Sequence, residues 1–229
     1  MAINQPLADR LRPGSLNEFI GQEHLVGDNA VLRKIIESGN IPSFILWGPP
    51  GTGKTTLAKI IANEHNRIFF TLSAVHSGVK DVRNTIEKAR KDQFFDAPNP
   101  ILFIDEIHRF SKSQQDSLLS AVEQGIITLI GATTENPSFE VISPLLSRCQ
   151  VYVLKSLSEK ELDKLLNRAF HEDLYLKKYN FKVREKDDLF RYSGGDARKL
   201  YNIIELIVNA EIVDDTNKNI LINNEKVKQ

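Results

Sequence analysis

The sequence predicts an α/β fold in which helices flank a parallel sheet and a small all-helical subdomain follows. The main observation is that short apolar runs alternate with helical patterns up to about Lys155. The strand-like runs cover 44–47, 68–72, 101–104, 127–131 and 151–154. The helical patterns cover 30–38, 54–64, 79–91 and 113–124. Such alternation is typical of a parallel sheet with helices on both faces.

A second observation is that the pattern changes near Lys155. Ser158 and Glu161 have the spacing of a capping box, which marks a helix start, and no convincing strand follows. Three helices are expected, at 161–170, 185–192 and 197–213, and the end from 216 to 229 is expected to fray. We therefore expect an α/β subdomain over residues 1–155 and a helical lid over 156–229.

Composition limits the classes of protein that fit. Lys and Arg together number 30, as do Asp and Glu, so any contact with nucleic acid must come from local patches. The single cysteine, Cys149, excludes an internal disulfide framework and is predicted to be a buried strand residue. The N-terminus lacks a signal-peptide pattern, and no apolar stretch approaches the roughly 20 residues that span a bilayer. We expect a cytoplasmic, nucleoid-associated protein with no membrane contact.

Residues 48–55 read GPPGTGKT and match the phosphate-binding pattern G-x-x-x-x-G-K-[ST]. Glycines let backbone N–H groups converge on phosphate oxygens, Lys54 adds a positive charge, and Thr55 offers a hydroxyl to Mg²⁺. The expected strand before the motif and helix after it give the context that a P-loop NTPase requires. The nucleotide-binding residues are then Gly48, Pro49, Pro50, Gly51, Thr52, Gly53, Lys54, Thr55 and Thr56. The alternative is an ordinary Gly/Pro turn.

An acidic pair, Asp105 and Glu106, follows the apolar run at 101–104. Asp105 is expected to be the second protein contact of Mg²⁺ besides Thr55. Glu106 is the natural group to polarise an attacking water as general base. The alternative is a solvated strand end. The two motifs together predict an ATP hydrolase with ATP and Mg²⁺ as its cofactors.

Further sequence motifs indicate the family. The chain contains, in order, PLADRLRP, GQEHLVG, LWGPPGTGKTTLA, ILFIDEIHRF, LIGATTENPSFE and LLSRC. Their order and spacing resemble the AAA+ ATPases of the clamp-loader clade. More closely, they resemble the replication-associated recombination protein A family, whose eukaryotic relatives are the Werner-helicase-interacting ATPases. The resemblance covers roughly residues 6 to 207.

The resemblance implies roles for three more residues. Thr134 matches the sensor-1 position, although Thr133 and Asn136 lie close by and any of the three could be a turn former. Arg148 matches the arginine finger, which would act in a neighbouring subunit's site, with a surface salt bridge as the alternative. Arg198 matches sensor 2 and would reach the phosphates of its own subunit.

The resemblance also implies contacts with adenine and with DNA. Arg12, Pro13, Ile20 and Gly21 match the adenine-side segments, for which a docked N-terminal arm is the alternative. Lys80 and Arg83 open a helix that faces the DNA channel in clamp-loader relatives. A solvated helix face is the alternative for these two cations, and the same question applies to Arg109 and Lys112.

The family implies a DNA-dependent ATPase that acts in replication-fork maintenance and recombination-linked repair as a homo-oligomeric ring. Its partners would be single-stranded gaps, ends or forks of DNA, and single-strand-binding protein. The competing interpretations are a clamp-loader subunit, a Holliday-junction motor, and an ATP-switched binding module with little turnover. Family members continue into a C-terminal region associated with tetramer formation, and we expect this chain, which ends at Gln229, to lack it.

Overall fold

The computed structural model describes residues 5–75, 77–92, 98–211 and 219–228, which fall into two compact units. The sheet unit comprises Gly14–Pro49 and Gly53–Lys155. The lid unit comprises the chain up to Pro13, Pro50–Thr52, and the chain from Ser156 onward. The units thus separate after Lys155, where the sequence pattern changes. They differ from the expected subdomains because the N-terminal residues and the tip of the phosphate loop group with the lid.

The sheet unit contains five strands and seven α-helices within its described residues. The strands are β1 (Phe44–Trp47), β2 (Phe69–Ser73), β3 (Ile101–Asp105), β4 (Thr128–Thr133) and β5 (Gln150–Val153). The helices are α2 (Glu23–Val26), α3 (Val31–Ser38), α4 (Lys54–Glu64), α5 (Val79–Asp92), α6 (Lys112–Glu123), α7 (Pro137–Glu140) and α8 (Ser143–Leu146), and α1 (Leu7–Arg10) precedes them in the lid unit. Every predicted strand and helix of this unit is confirmed to within two residues at either end.

The strands form one parallel sheet in the order β2-β3-β4-β1-β5. Trp47 pairs with Thr133, and Ile104 pairs with Gly131. The carboxyl ends of β1, β3 and β4 therefore meet at one edge of the sheet. In an open parallel sheet this edge is where ligands bind.

Apolar side chains cover both faces of the sheet, because successive residues of a strand point to opposite faces. Phe44 and Leu46 pack with α3 and α4 in one buried cluster, whereas Ile45 packs with α5 and α6 in another. Burial on both faces explains why the central strands read as continuous apolar runs. The two helical layers hold the carboxyl edge of the sheet in place.

The lid unit contains α9 (Glu159–Glu172), β6 (Asn180–Val183), α10 (Asp187–Ser193), α11 (Ala197–Glu211), β7 (Asn219–Ile222) and α12 (Asn224–Lys228). The predicted capping box of Ser158 and Glu161 is confirmed at the start of α9. The expectation of an all-helical lid is wrong, since β6 and β7 pair in parallel. Ile220 and Ile222 are buried, and this burial places β7 inside the stretch that was expected to fray.

The position of Cys149 differs from the expected one. Cys149 is half-buried and precedes β5, so it is not the strand residue that was predicted. The last two residues of the helix expected at 197–213 lie outside the described residues. No helix in the described ranges combines the length and the apolar character that crossing a membrane requires.

Candidate nucleotide site

The phosphate loop connects β1 to α4 at the carboxyl edge of the sheet. Its first residue, Gly48, donates from its backbone N–H to the carbonyl oxygen of Thr133, at 3.1 Å. At the other end, α4 begins at Lys54 after Gly53, and no side chain caps its first turn. An uncapped helix N-terminus at the end of a glycine-rich loop presents backbone N–H groups to an anion. The predicted motif therefore lies in the strand–loop–helix arrangement that phosphate binding requires.

Gly53 illustrates why the loop needs glycine. Its φ is +97°, and a β-carbon added there would lie 2.6 Å from the ring of Phe19. Phe19 directly precedes Ile20 and Gly21, which were expected to lie on the adenine side. A larger residue at position 53 would have to strain the backbone and displace a buried aromatic ring.

In the lid unit, Gly51 is in contact with the start of α11. Its φ is +67°, and an added β-carbon would collide with the carboxylate of Asp196. The carbonyl oxygen of Gly51 accepts a hydrogen bond from the backbone N–H of Ala197, at 3.2 Å. Asp196 in turn caps α11, because its Oδ1 accepts from the N–H of Arg198 at 2.8 Å. The backbone of Arg198, the predicted sensor-2 residue, is thereby fixed by the residue that meets Gly51.

Lys54 is buried and folds back over the loop. Its Nζ donates to the carbonyl oxygens of Gly48, at 2.7 Å, and of Pro49, at 2.8 Å. The ammonium group therefore lies inside the loop, within reach of phosphate oxygens that would occupy it.

The acidic pair lies at the end of β3, on the same edge of the sheet. Asp105 is its last residue, and Glu106 follows with φ 54°, the left-handed region that a non-glycine residue rarely adopts. Strained backbone of this kind clusters at functional sites. Glu106 thereby turns away from the strand direction, and its side chain is 32% exposed, which leaves room for a water molecule.

The structure distinguishes the three sensor-1 candidates at the end of β4. Thr133 is fully buried, and its hydroxyl is engaged with the backbone of Glu135. Asn136 caps α7 by accepting from the N–H of Ser138, at 3.0 Å. Only Thr134, among these three, directs its hydroxyl to the carboxylate of Glu106, at 3.5 Å. The geometry therefore favours Thr134.

His108 is a neighbour of the acidic pair that sequence patterns alone did not single out. Its Nδ1 lies 3.0 Å from the hydroxyl oxygen of Thr133 and 3.2 Å from Oε2 of Glu106. The ring is 12% exposed, and its Nδ1 contacts the last residue of β4 and the residue that follows β3. The motif Asp-Glu-Ile-His could have indicated it, because it places a histidine two residues after the proposed general base.

The donor set fits Mg²⁺ with ATP. Within the described chain, the Thr55 hydroxyl and the Asp105 carboxylate make no hydrogen bond or ion pair, so both remain available as oxygen ligands. No three His, Cys, Asp or Glu side chains converge on a metal cluster in the described ranges. Mg²⁺ suits such a sparse site, because it usually keeps several waters and takes its other ligands from the phosphates.

Arg148 is held by its own subunit. Its guanidinium pairs with Glu123 at the end of α6 and donates to the carbonyl oxygen of Pro144, at 2.7 Å. About 40% of its side chain is exposed. Arg198, on the lid unit, is exposed, and its guanidinium makes no ion pair within the described part of the chain.

The remaining predicted contacts are those with adenine and with DNA. Ile20 is half-buried, and the buried amide of Gln22 bonds to the backbone of Lys155 at 2.7 and 2.9 Å, which anchors the segment around Gly21. Arg12 and Pro13 are half-buried in the lid unit, where Arg12 pairs with Asp9. The four candidate DNA contacts are all exposed, namely Lys80, Arg83, Arg109 and Lys112.

Comparison with known proteins identifies similar ATPases. The model of the ATPase family associated with various cellular activities (AAA) matches residues 44–157. The chain is 47% identical to replication-associated recombination protein A of Escherichia coli (strain K12), over 95% of this chain and 49% of that protein. It is 46% identical to ATPase WRNIP1 of Dictyostelium discoideum, over 93% of this chain and 24% of that protein.

The chain spans about half the length of the curated E. coli relative. Among solved structures it resembles the Thermotoga maritima RuvB Holliday junction branch migration motor, with a TM-score of 0.74 and 30% identity. This match covers 96% of this chain and 71% of that one. The chain belongs to the AAA family of ATPases and, within it, to the family of replication-associated recombination protein A and ATPase WRNIP1.

Proposed function

We propose that the protein is a DNA-dependent ATPase that acts in replication-fork maintenance and recombination-linked repair, and that it hydrolyses ATP at sites shared between subunits. One observation carries the proposal. The phosphate loop, Asp105, Glu106 and Thr134 lie at the carboxyl ends of adjacent strands, and Thr134 directs its hydroxyl to Glu106. A triphosphate bound on the loop would therefore place its terminal phosphate near a carboxylate and a hydroxyl.

Each residue has a distinct task in this proposal. Lys54 binds the β and γ phosphates, and Thr55 and Asp105 hold Mg²⁺, which neutralises phosphate charge. Glu106 polarises the attacking water, and Thr134 orients that water or contacts the γ-phosphate. The segments around Arg12, Pro13, Ile20 and Gly21 hold the adenine. Arg198 contacts the phosphates as the sensor-2 residue.

Arg148 supplies the final charge from a neighbouring subunit. An arginine finger neutralises the charge that develops on the transferred phosphoryl group. In this chain about 40% of the Arg148 side chain is exposed, and its described partners, Glu123 and Pro144, belong to the same chain, so another subunit can approach it. Oligomerisation is therefore part of the proposal. The proposal also assigns nucleotide binding to residues 1–155 and a lid to the residues from 156 onward.

DNA is the proposed effector. The chain carries no net charge, so binding rests on local cations, for which the exposed Lys80 and Arg83 at the start of α5 are candidates. The names of the relatives point to replication and recombination. Single-stranded gaps, ends or forks are the proposed DNA structures, with single-strand-binding protein as a partner, in the cytoplasm at the nucleoid.

A second candidate is a branch-migration motor, which the likeness to RuvB favours. A third is an ATP-switched binding module. Four-way junctions that stimulate turnover more than gapped duplexes would favour the motor. The Glu106→Gln variant separates a motor from a switch, because a switch trapped with ATP keeps its binding to DNA or protein, whereas a motor stalls.

The test is ATP hydrolysis by this chain over a range of protein concentrations, with and without gapped duplex DNA. Shared sites predict turnover that rises more steeply than protein concentration and that increases with DNA. The Glu106→Gln variant should bind ATP and lose hydrolysis by about a hundredfold or more. ATP binding without turnover at any concentration, with or without DNA, would contradict the proposal for this chain.

A further inference from the structure

His108 lies beside the carboxylate of Glu106 and has no part in the proposed mechanism. It lies in the 3-10 turn Ile107–Arg109 that follows Glu106. Its Nδ1 is 3.0 Å from Oγ1 of Thr133 and 3.2 Å from Oε2 of Glu106. One ring nitrogen therefore faces two oxygen atoms on two different strand ends.

The surroundings of Thr133 determine which tautomer the ring adopts. The Thr133 hydroxyl accepts from the N–H of Glu135, at 3.0 Å, and donates to the carbonyl oxygen of Glu135, at 3.2 Å. Its proton is thus engaged, and a lone pair remains for the ring. A bare Nδ1 at 3.2 Å from a carboxylate oxygen would set two lone pairs against each other. Nδ1 therefore carries the proton and has two acceptors for it.

The two donors near Glu106 face the same carboxylate oxygen. Thr134 donates to Oε2, which is also the oxygen that faces His108. The backbone of Glu106 is fixed, because its carbonyl oxygen accepts from the N–H of Arg109 at 2.9 Å. With the backbone fixed and Oε2 bound, Oε1 is the oxygen left to accept a proton from water.

We propose that His108 is a positioning residue for Glu106, and that its single Nδ1–H serves Glu106 and Thr133 in alternation. When the ring donates to Glu106, the carboxylate is held on the side of β4 with Oε1 directed to water. When the ring donates to Thr133, the carboxylate loses one of two donors and turns more freely. This inference rests on the proposed function, in which Glu106 is the general base.

A positioning role predicts that substitution of His108 changes turnover but not ATP binding. In the described hydrogen-bond network, His108 contacts neither the phosphate loop nor a predicted nucleotide-binding residue. Loss of one charge-assisted hydrogen bond to the base should lower kcat by about tenfold or more and leave KM and ATP affinity unchanged. A structural defect would instead lower affinity and turnover together.

Three substitutions at this position test the inference. His108→Asn places an amide donor near the position of Nδ1, His108→Gln places it near Nε2, and His108→Phe removes it. We expect Asn to keep most of kcat, and Gln and Phe to lose it equally. Equal kcat for Asn and Gln, or Phe at the wild-type level, would overturn the inference. Melting temperatures identify any variant that fails to fold.

A second measurement does not depend on turnover. Ring ¹⁵N chemical shifts of the histidine-labelled chain report which nitrogen of His108 carries the proton, and the signal missing from His108→Asn assigns the residue. The proposal requires the Nδ1–H form in the wild-type chain, and a bare Nδ1 would overturn it. If the chain proves inactive with ATP, the proposed function fails for this chain while the tautomer still tests the inference.

Discussion

Lys54 and Gly48 stand at opposite ends of the phosphate loop and are joined by a hydrogen bond from Nζ to the Gly48 carbonyl oxygen, at 2.7 Å. The bond closes the loop around the space where a phosphate would lie. It also keeps a buried ammonium group partnered, which an apolar environment otherwise penalises. The loop is thus organised around its lysine.

Lys54→Met should therefore weaken ATP binding by about 10- to 100-fold, because charge-assisted bonds to phosphate are lost. Fluorescence anisotropy with a labelled ATP analogue measures the affinity. Lys59→Met is the matched control, since Lys59 is exposed on the same helix. Equal losses in both variants would mean that the lysine in the loop has no special part in binding.

Gly53→Ala should destabilise the sheet unit more than Gly125→Ala does. Both glycines have positive φ, which costs alanine about 1–2 kcal/mol. Only at position 53 does the new β-carbon meet a ring, that of Phe19 at 2.6 Å, whereas at 125 the nearest atom is 3.8 Å away. Thermal melting of the two variants measures the difference. Equal melting temperatures would show that Phe19 moves aside without cost.

Arg10, which is half-buried, forms an ion pair with the buried Asp173 in the lid unit, with Nε 2.8 Å from Oδ2. Burial alone would raise the pKa of Asp173, but hydrogen bonds from Arg10 and from the N–H of Leu176 hold that pKa below its ordinary value of 3.8. A depressed folded-state pKa gives stability that is fully present above the unfolded value. That stability is lost as the pH falls below 3.8 through the folded pKa.

Arg10→Met should consequently lower the free energy of unfolding by about 3 kcal/mol near neutral pH, because it leaves a buried carboxylate unpaired. The difference from wild type should shrink as the pH falls through the window in which Asp173 is protonated. Denaturant unfolding at several pH values measures it. Lys186→Met, which removes an exposed ion pair to Asp163, is the control and should cost less than about 1 kcal/mol. A pH-independent loss for Arg10→Met would contradict the assignment.

Cys149 should react slowly with thiol reagents. Burial raises the pKa of its thiol to about 12, so at pH 8 only about one molecule in ten thousand carries the reactive thiolate. Because Cys149 is the single cysteine, total thiol reactivity with a disulfide reagent reports on it alone. Reaction should accelerate strongly in denaturant. Rapid reaction of the folded chain would show that the segment before β5 opens readily.

The sheet could be predicted from the sequence because its strands are buried on both faces and stand out as apolar runs. The phosphate loop and Asp105-Glu106 could be predicted because their spacing is local. The pairing of β6 with β7 could not, since Asn180 meets Asn219 across 39 residues and exposed Lys182 interrupts the apolar pattern. The contact of His108 with Thr133 could not be predicted for the same reason, because Thr133 ends β4, 25 residues away.

Substitution of Arg148 tests directly whether neighbouring subunits share an ATPase site. Arg148→Ala should lower ATP hydrolysis by about a thousandfold, because the finger's charge is lost, while ATP affinity stays close to wild type. The finger and the base of one site come from different subunits in this proposal. Mixing Arg148→Ala with Glu106→Gln should therefore restore measurable hydrolysis, since one variant supplies an intact Glu106 and the other an intact Arg148. Each variant alone, at the same total concentration, is the control. A mixture as inactive as its components would mean that Arg148 acts only in its surface pair with Glu123.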